Sequence, residues 1–379
     1  NTVFSQLLKL IPRHEFETLA KQHHSGRSFR TASRWAQFVT MTMAQLSGRN
    51  SLRDIVENVS AQAHRLYHLG SVKLSRSNLS RINEGKPYAL YEALFGKLLS
   101  RCQAVAPRHN FRFNNPLYSL DASTIDLCLS VFPWADFRTT KGAIKLHVGL
   151  NHEGYLPEFV TITEGKDHDV TVGRTLAFPK GSIVVIDKAY NDYAWYNQLT
   201  GKGIFFVTRL KSNAKYRVIS RKSVNKEKGL TCDQTIEFTG VLTGKKCPIQ
   251  LRRIGYRDSV TGKHYVFLTN NFKLSARTIA DIYKARWQVE LFFKWIKQNL
   301  KIKSFIGTSK NAVMTQIWIA LCIYLLLAFI KFQSKLGKSM QQILRLLQLN
   351  LFEKRDLMAL LRGDPILNKQ HNINQIVLL

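Results

Sequence analysis

The run Ser182–Asp187 (SIVVID) constrains the fold more than any other segment of this chain. Consecutive apolar residues without polar alternation are typical of a strand that is buried on both faces. Such a strand needs covering layers on both sides of its sheet, and a helical pattern follows it directly. We therefore predict an α/β fold with a mixed sheet covered by helices. The other predicted strands of this region are Leu117–Asp121, Ile144–Leu150, Leu156–Thr163 and Gly203–Arg209, with a helix over Asp192–Leu199.

The segment Asp281–Leu300 is predicted to belong to a helix with its N-cap at Ser275. One polar stripe of this helix consists of Tyr283, Arg286, Glu290 and Lys297. At ~100° per residue the stripe covers a sector of about 60°, and the neighbouring sector is apolar. The helix would therefore dock on a core and present a carboxylate flanked by cations, which suits a divalent metal held against a phosphodiester. A surface helix with an incidental salt bridge has the same pattern.

Positive charge is abundant and distributed along the chain. Lys and Arg number 56 against 25 Asp and Glu, which gives a formal charge of +31. Residues 1–110 hold 16 basic and 6 acidic side chains, and residues 204–272 hold 14 and 4. Charge on this scale favours a polyanionic partner, above all nucleic acid. A ribosome-associated protein has similar charge. The five cysteines include no C-x-x-C pair, which favours free thiols in a reducing compartment.

Residues 1–110 are predicted to be mostly helical. A helix capped by Ser51, a turn and a basic helix that begins at Ser75 have the outline of a helix-turn-helix. Its candidate DNA contacts are Arg76, Asn78 and Arg81, although a solvated surface helix has the same composition. Further along, the apolar run Ile317–Ile330 has 14 residues, which is short for a bilayer span. We therefore predict a buried helix there and no membrane partner.

Three acids occupy positions that suit metal binding. Asp121 and Asp187 are each predicted at the carboxyl end of a strand, where ligands of α/β proteins usually bind, and Glu290 lies on the predicted helix. Three carboxylates can hold two Mg²⁺ or Mn²⁺ ions, because these hard cations prefer oxygen ligands. Two such ions stabilise the attacking and leaving oxygens in a displacement at phosphorus. The alternative for each Asp is a structural role at the start of a loop.

These residues resemble the DDE transposases of bacterial insertion sequences, in the group with a Tyr-x2-Arg-x3-Glu-x6-Lys motif. The polar stripe of the predicted helix has that spacing at every position. The resemblance extends to the helical N-terminal region and covers roughly residues 1–340. The other segments that carry it are KGAIKLHVGLNHEGYLPEFVTITEGKDHDV, IDKAY, FVTRLK and YVFLTNN.

The resemblance implies a ribonuclease H-like core with a β-strand insertion in the 103 residues that separate Asp187 from Glu290. The implied catalytic and metal-binding residues are Asp121, Asp187 and Glu290. The implied DNA contacts are Tyr283, Arg286 and Lys297 near the cleaved end, and Arg209 on the backbone. The predicted parts of the chain are a helical N-terminal DNA-binding domain (1–110), a first part of the catalytic core (111–203), a β-rich insertion (204–272), a second part of the core with the Glu290 helix (273–345), and a C-terminal helix and tail (346–379).

The resulting hypothesis is a cut-and-paste DNA transposase. It would cleave at transposon ends with metal ions and transfer the strand into target DNA. Its partners would be double-stranded DNA, as terminal inverted repeats and target, and a second copy of itself in a homodimeric synaptic complex. It would act in the bacterial cytoplasm, associated with the nucleoid. The alternatives are a non-catalytic DNA-binding protein derived from a transposase, and a structure-specific nuclease.

Overall fold

A computed structural model describes residues 1–27, 29, 32–138 and 141–365 of the chain. Within these residues a ten-stranded mixed sheet carries helices on its faces, which confirms the predicted α/β class. A layer of helices from the N-terminal region packs on one side through a core that is shared with the sheet. The predicted helical N-terminal region is therefore present.

Seven helices precede the first strand in the described part of the chain. They are α1 (Val3–Lys9), α2 (Arg13–Gln22), α3 (Arg34–Leu46), α4 (Leu52–Ala61), α5 (Ala63–Leu66), α6 (Arg76–Gly85) and α7 (Ala89–Gln103). The hydroxyls of Ser51 and Ser75 accept the backbone N–H of the residue three positions on, so both predicted N-caps are confirmed. Ser33 caps α3 in the same way.

The central strands are β1 (Leu117–Leu127), β2 (Asp136–Arg138), β3 (Lys141–Asn151), β4 (Leu156–Glu164), β5 (Ile183–Ile186) and β6 (Phe205–Arg209), with the helices α8 (Asp169–Thr175) and α9 (Tyr193–Gly201) between them. Their spatial order is β4-β3-β1-β5-β6, and the short β2 pairs with the start of β3. Strand β3 is antiparallel to β1 and β4, whereas β1, β5 and β6 are parallel. This order and these directions are those of the ribonuclease H-like core that the resemblance implies.

The register of β1 and β5 aligns two of the predicted acids. Leu120 pairs with Ile186 at the end of the parallel pairing, so the next residue of each chain segment is an aspartate, Asp121 and Asp187. Asp187 follows β5 directly, as predicted. The prediction that β1 ends at Asp121 is wrong: β1 continues to Leu127, because β3 stays paired with it over the whole of that length.

The region 204–272 is rich in strands, as its turn-punctuated sequence suggests. It contains β6 and then β7 (Tyr216–Lys222), β8 (Leu230–Phe238), α10 (Val241–Lys246), β9 (Leu251–Arg257) and β10 (His264–Thr269). These last four strands form an antiparallel meander that joins the sheet through β10 and β6. Strand β7 was not predicted, because its last residues belong to the basic run Arg221–Lys228, which has the composition of a solvated loop. The five-part division of the chain stays a prediction.

The helix that was predicted over Asp281–Leu300 is interrupted once. It consists of α11 (Ala276–Ala285) and α12 (Trp287–Asn299), and Ser275 is the N-cap of α11, as predicted. At Arg286 the backbone stays right-handed. However, the N–H of Arg286 donates to the carbonyl of Tyr283, and the N–H of Val289 donates to the carbonyl of Arg286, so both hydrogen bonds span three residues. This tight turn is a short 3₁₀ step between the two helices.

The C-terminal helices are α13 (Lys310–Ser334), α14 (Met340–Asn350) and α15 (Leu357–Arg362). Helix α13 packs on α3, α6 and α7, and it is the one helix of the described residues that is long and apolar enough to cross a bilayer. The sequence prediction took the 14-residue run Ile317–Ile330 to be too short for a bilayer span. The helix itself has 25 residues, so this argument from length was wrong. The predicted burial is confirmed, since 94% of its apolar window lies inside the protein.

A buried ion pair joins the meander to the start of α11. The Arg252 guanidinium forms two hydrogen bonds with the Asp233 carboxylate, at 2.8 and 2.7 Å, and also donates to the backbone carbonyls of Asn271 and Leu274. The side chains of both ion-pair partners are at most 7% exposed. Arg252 therefore fixes the position from which α11 and α12 begin.

We expect Arg252→Met to lower the free energy of unfolding by about 3–5 kcal/mol, because it leaves the Asp233 carboxylate buried without a partner. Denaturant unfolding of the full chain measures the loss. The matched control is Arg217→Met, whose ion pair with Glu237 is exposed to solvent, and its loss should be much smaller. Equal losses in the two variants would contradict this structural role of Arg252.

Candidate active site

Three carboxylates from distant parts of the chain meet beside the sheet. Asp121 lies within β1, Asp187 follows β5, and Glu290 lies in the first turn of α12. The backbone N–H of Ala122 donates to Asp121 at 2.9 Å, and that of Ala189 donates to Asp187 at 3.3 Å. These local hydrogen bonds orient both aspartates. The convergence that the sequence predicted for the three acids is therefore present.

The Arg286 guanidinium contacts all three carboxylates. Its Nη1 lies 3.3 Å from an oxygen of Asp121, and its Nη2 lies 2.6 Å from Glu290 and 3.9 Å from Asp187. The Asp187 and Glu290 oxygens can be no further apart than the sum of 3.9 and 2.6 Å, because both contact the same nitrogen. The side chain of Arg286 is 13% exposed, so these contacts are shielded from water.

The other residues of the polar stripe also lie at the site. The Tyr283 hydroxyl donates to Asp187 at 3.3 Å, and the Arg209 guanidinium lies 3.6 Å from the same carboxylate. Both Arg209 and Arg286 lie near the Tyr283 ring, with 5.9 and 5.7 Å to its centroid. The Lys297 ammonium donates to the Ser123 hydroxyl and to the carbonyl of Thr124, both at 2.7 Å. These contacts connect Tyr283 to the residue after β5 and Lys297 to β1.

Burial and charge act differently on the two aspartates. Burial raises the pKa of Asp121 to about 6, and the charges of Glu290 and Asp187 act in the same direction, against the Ala122 N–H and Arg286. Burial also acts upward on Asp187. There the charge of Arg286, two backbone N–H groups and Arg209 outweigh burial and bring the pKa below its ordinary value. Asp187 is therefore the more firmly ionised of the two.

The chemistry of the site fits a divalent metal, although the three carboxylates are not arranged as the ligands of one ion. The donors are carboxylate oxygens, which hard ions such as Mg²⁺ and Mn²⁺ prefer, and they already surround a positive group. Among the residues that the structure describes, no set of three or more Asp, Glu, His or Cys side chains stands in a geometry that could bind an ion. Arg286 contacts each of the three carboxylates that would have to close on a metal.

A basic cavity of about 560 Å³ opens beside Asp187. Its lining has several cations and two tyrosines, and sequence reasoning had not assigned most of them to a site: Lys188, Arg209, Lys211, Tyr216, Arg253, Lys263 and Tyr265. The available signals were the position of Lys188 directly after an expected catalytic acid and the segment FVTRLK, which contains Arg209 and Lys211. The meander brings Arg253 and Lys263 to the cavity, and the sequence pattern does not predict this placement.

A second cavity, of about 410 Å³, shares Arg209 and Tyr265 with the first. Arg286, Tyr283, Tyr265 and Trp287 contribute to its wall. Trp287 is 57% exposed, so it does not bury its ring as an apolar core residue would. This cavity gives the Arg286 side chain an open space next to the carboxylates.

Two families match parts of this chain. The family described as "Transposase DDE domain" matches residues 113–326, and a domain of unknown function (DUF4372) matches residues 1–72. A Sinorhizobium fredii protein named as a transposase, y4zB, is 33% identical over 77% of this chain and 82% of its own length. A Geobacillus stearothermophilus protein named as a transposase for insertion sequence element IS5377 is 32% identical over 70% of each chain.

Among solved structures, a piggyBac transposase synaptic complex with hairpin DNA is similar with a TM-score of 0.47 and 11% sequence identity. The likeness covers 97% of this chain and 81% of that one. A similarity at this level carries no argument about function.

The raised pKa of Asp121 predicts a pH-dependent cost to stability. The folded protein binds this proton more tightly than the unfolded chain does, so the contribution of Asp121 is fully present below about pH 4 and is lost as pH rises through about 6. We expect Asp121→Asn to raise the free energy of unfolding by about 2 kcal/mol at pH 7.5, with no gain near pH 4. Denaturant unfolding in chelator-treated buffer measures both values.

The control for this prediction is Asp281→Asn, which removes an exposed carboxylate from the pair with Arg277 on α11. Its effect should be small and should not follow the same pH trend. A gain in Asp121→Asn that is the same at both pH values would contradict the assigned cause.

Proposed function

The chain belongs to the DDE transposases of bacterial insertion sequences, and on that premise we propose that Asp121, Asp187 and Glu290 are the catalytic residues of this DNA transposase. One observation carries the proposal. The three carboxylates are separated by 66 and 103 residues in the sequence, yet all of them contact a single guanidinium. Burying three like charges together is unfavourable, so such a cluster in a DNA-processing enzyme points to catalysis.

Transposases with a DDE domain generally use a divalent metal. For this chain we propose two Mg²⁺ or Mn²⁺ ions, held by the same three carboxylates. Bound ions of this kind stabilise the negative charge that develops at phosphorus and on the attacking and leaving oxygens. The chain's own residues prepare the site: Tyr283 donates to Asp187, and the Ala122 and Ala189 N–H groups hold the two aspartates in place.

The partner that fits this surface is double-stranded DNA, as terminal inverted repeats and then as target. The basic cavity beside Asp187 supports the proposal, because its lining contains cations and tyrosines next to the carboxylates. We propose that Arg209, Tyr283, Arg286 and Lys297 contact the DNA near the cleaved end. The exposed start of α6 is a further candidate contact in the N-terminal part.

The proposed reaction is cut-and-paste transposition. One strand is hydrolysed at each transposon end, and the liberated 3′-hydroxyl attacks a phosphodiester of the target. Two ends would be paired by a homodimer. A transposase of bacterial insertion sequences acts on DNA, which accords with the cytoplasm, and association with the nucleoid is part of the proposal. Incubation with DNA from the flanks of its own element and Mg²⁺ separates transposition from simple nuclease action, because only a transposase joins 3′-hydroxyl ends to target DNA.

We expect Asp187→Asn and Glu290→Gln to abolish Mg²⁺-dependent nicking at the element's ends and to leave binding of those ends largely unchanged. Both substitutions keep the shape of the side chain and remove the negative charge that a metal requires. A nicking gel and a mobility-shift titration measure the two properties. The matched control Asp281→Asn, on the neighbouring helix, should nick as the wild type does. Full nicking by both site variants would remove the catalytic assignment.

We expect Lys297→Met to weaken binding of the transposon ends. The slope of log binding constant against log salt concentration should fall in magnitude by about 0.9, which corresponds to the loss of one phosphate contact. The reason is that two acceptors of the protein hold the Lys297 ammonium at the site and leave a donor for DNA. Titrations over a series of salt concentrations measure the slope. A lower affinity with an unchanged slope would show that Lys297 only positions β1.

A further inference from the structure

Arg286 occupies the position of a cation at the centre of the site. Its two terminal nitrogens contact Asp121, Asp187 and Glu290, the oxygen donors that the proposed function gives to the metal. The remaining nitrogen, Nε, is buried and forms no hydrogen bond to the described residues. The two terminal nitrogens of the guanidinium are thus held by ion pairs, whereas the hydrogen-bonding capacity of Nε is unused among the described residues.

A guanidinium and a divalent ion compete for these carboxylates. Both are positive, the second oxygens of Asp121 and Asp187 already accept backbone N–H groups, and an ion would need carboxylate oxygens at coordination distances of about 2.0–2.6 Å. The ready geometry for an ion is missing from the described residues, although three suitable donors are present. We propose that Arg286 is a stand-in for the metal in the DNA-free protein, which keeps the carboxylates together and keeps divalent ions out until DNA binds.

The structure also provides a position to which Arg286 can move. Its side chain lies on the wall of the cavity of about 410 Å³ that Tyr283, Tyr265 and Trp287 also line. Rotation into that cavity would turn the guanidinium from the carboxylates toward the face where DNA would lie. A phosphodiester there replaces the lost negative partners, because arginine binds phosphate in the same two-pronged manner as carboxylate.

Arg209 does not have this property. It approaches Asp187 alone, at 3.6 Å, and its side chain is 39% exposed against 13% for Arg286. Arg209 can stay beside one carboxylate while the other two remain available. It therefore serves as the matched control for a substitution that removes a nearby positive charge without emptying the centre of the site.

The inference rests on the proposed function, and its consequence is coupling between metal and DNA. If DNA draws Arg286 away, DNA binding raises the affinity for divalent ions, and ions raise the affinity for DNA by the same factor. Removal of Arg286 should abolish most of this coupling, because the carboxylates are then free in both states. If Arg286 only contacted DNA and did not stand in for the metal, its removal would leave metal binding without DNA unchanged.

The experiment measures Mn²⁺ binding to the full chain by electron paramagnetic resonance, without DNA and with a saturating duplex from the flank of the element. For the wild type we expect the duplex to raise Mn²⁺ affinity about tenfold or more. Without DNA, Arg286→Met should bind Mn²⁺ about tenfold more tightly than the wild type, and the duplex should add less than about threefold. Arg209→Met should keep the wild-type coupling.

Equal Mn²⁺ affinity of Arg286→Met and the wild type without DNA would overturn the proposal. If Arg286→Met does not fold, the wild type alone still tests the proposal, because the duplex must raise Mn²⁺ affinity by about tenfold or more. A factor near one overturns the proposal. Adding Glu290→Gln to Arg286→Met should remove the tight Mn²⁺ site, and if it does not, the assignment of the metal ligands fails instead.

Discussion

The contact between Arg286 and three carboxylates is the interaction on which the site depends. Two unit charges 4 Å apart interact by about 4 kcal/mol at an effective dielectric constant of 20, so three uncompensated carboxylates this close would repel one another strongly. Arg286 changes the sign of the nearest interactions, and Arg209 adds a second positive charge at Asp187. Burial still raises the pKa of Asp121, because the positive charge offsets only part of its effect.

The fold brings these charges together by two independent means. Strand register sets the first pair, because the last paired residues of β1 and β5 are followed by Asp121 and Asp187. Helix packing sets the third, because the apolar face of α12 is buried in the same core as β1 and β3. Arg252 connects the meander to the start of α11, so the position of the meander also determines the direction of α12. The insertion is thus part of the frame of the site.

Sequence reasoning found the acids and the helix face, because apolar runs and a 3.6-residue period are local properties. Asp187 after a buried strand and the stripe from Tyr283 to Lys297 are of this kind, whereas the roles of the residues came from the family resemblance. The extent of β1 could not be found, because it depends on pairing with β3. The same holds for the 3₁₀ step at Arg286, and for Arg253 on β9 and Lys263 before β10, which reach the basic cavity only through tertiary packing.

A shared core also links the N-terminal helices to the catalytic sheet. Helix α13 packs against α3, α6 and α7, and Asn311 near its start binds the backbone of Asn83, Lys86 and Tyr88. A DNA contact on α6 would therefore be held at a fixed distance from the carboxylates by packing that leaves little room for adjustment. Within so rigid a frame, the response to DNA is best carried by a single side chain. Arg286 has the charge for that role, and an adjoining cavity gives it the space.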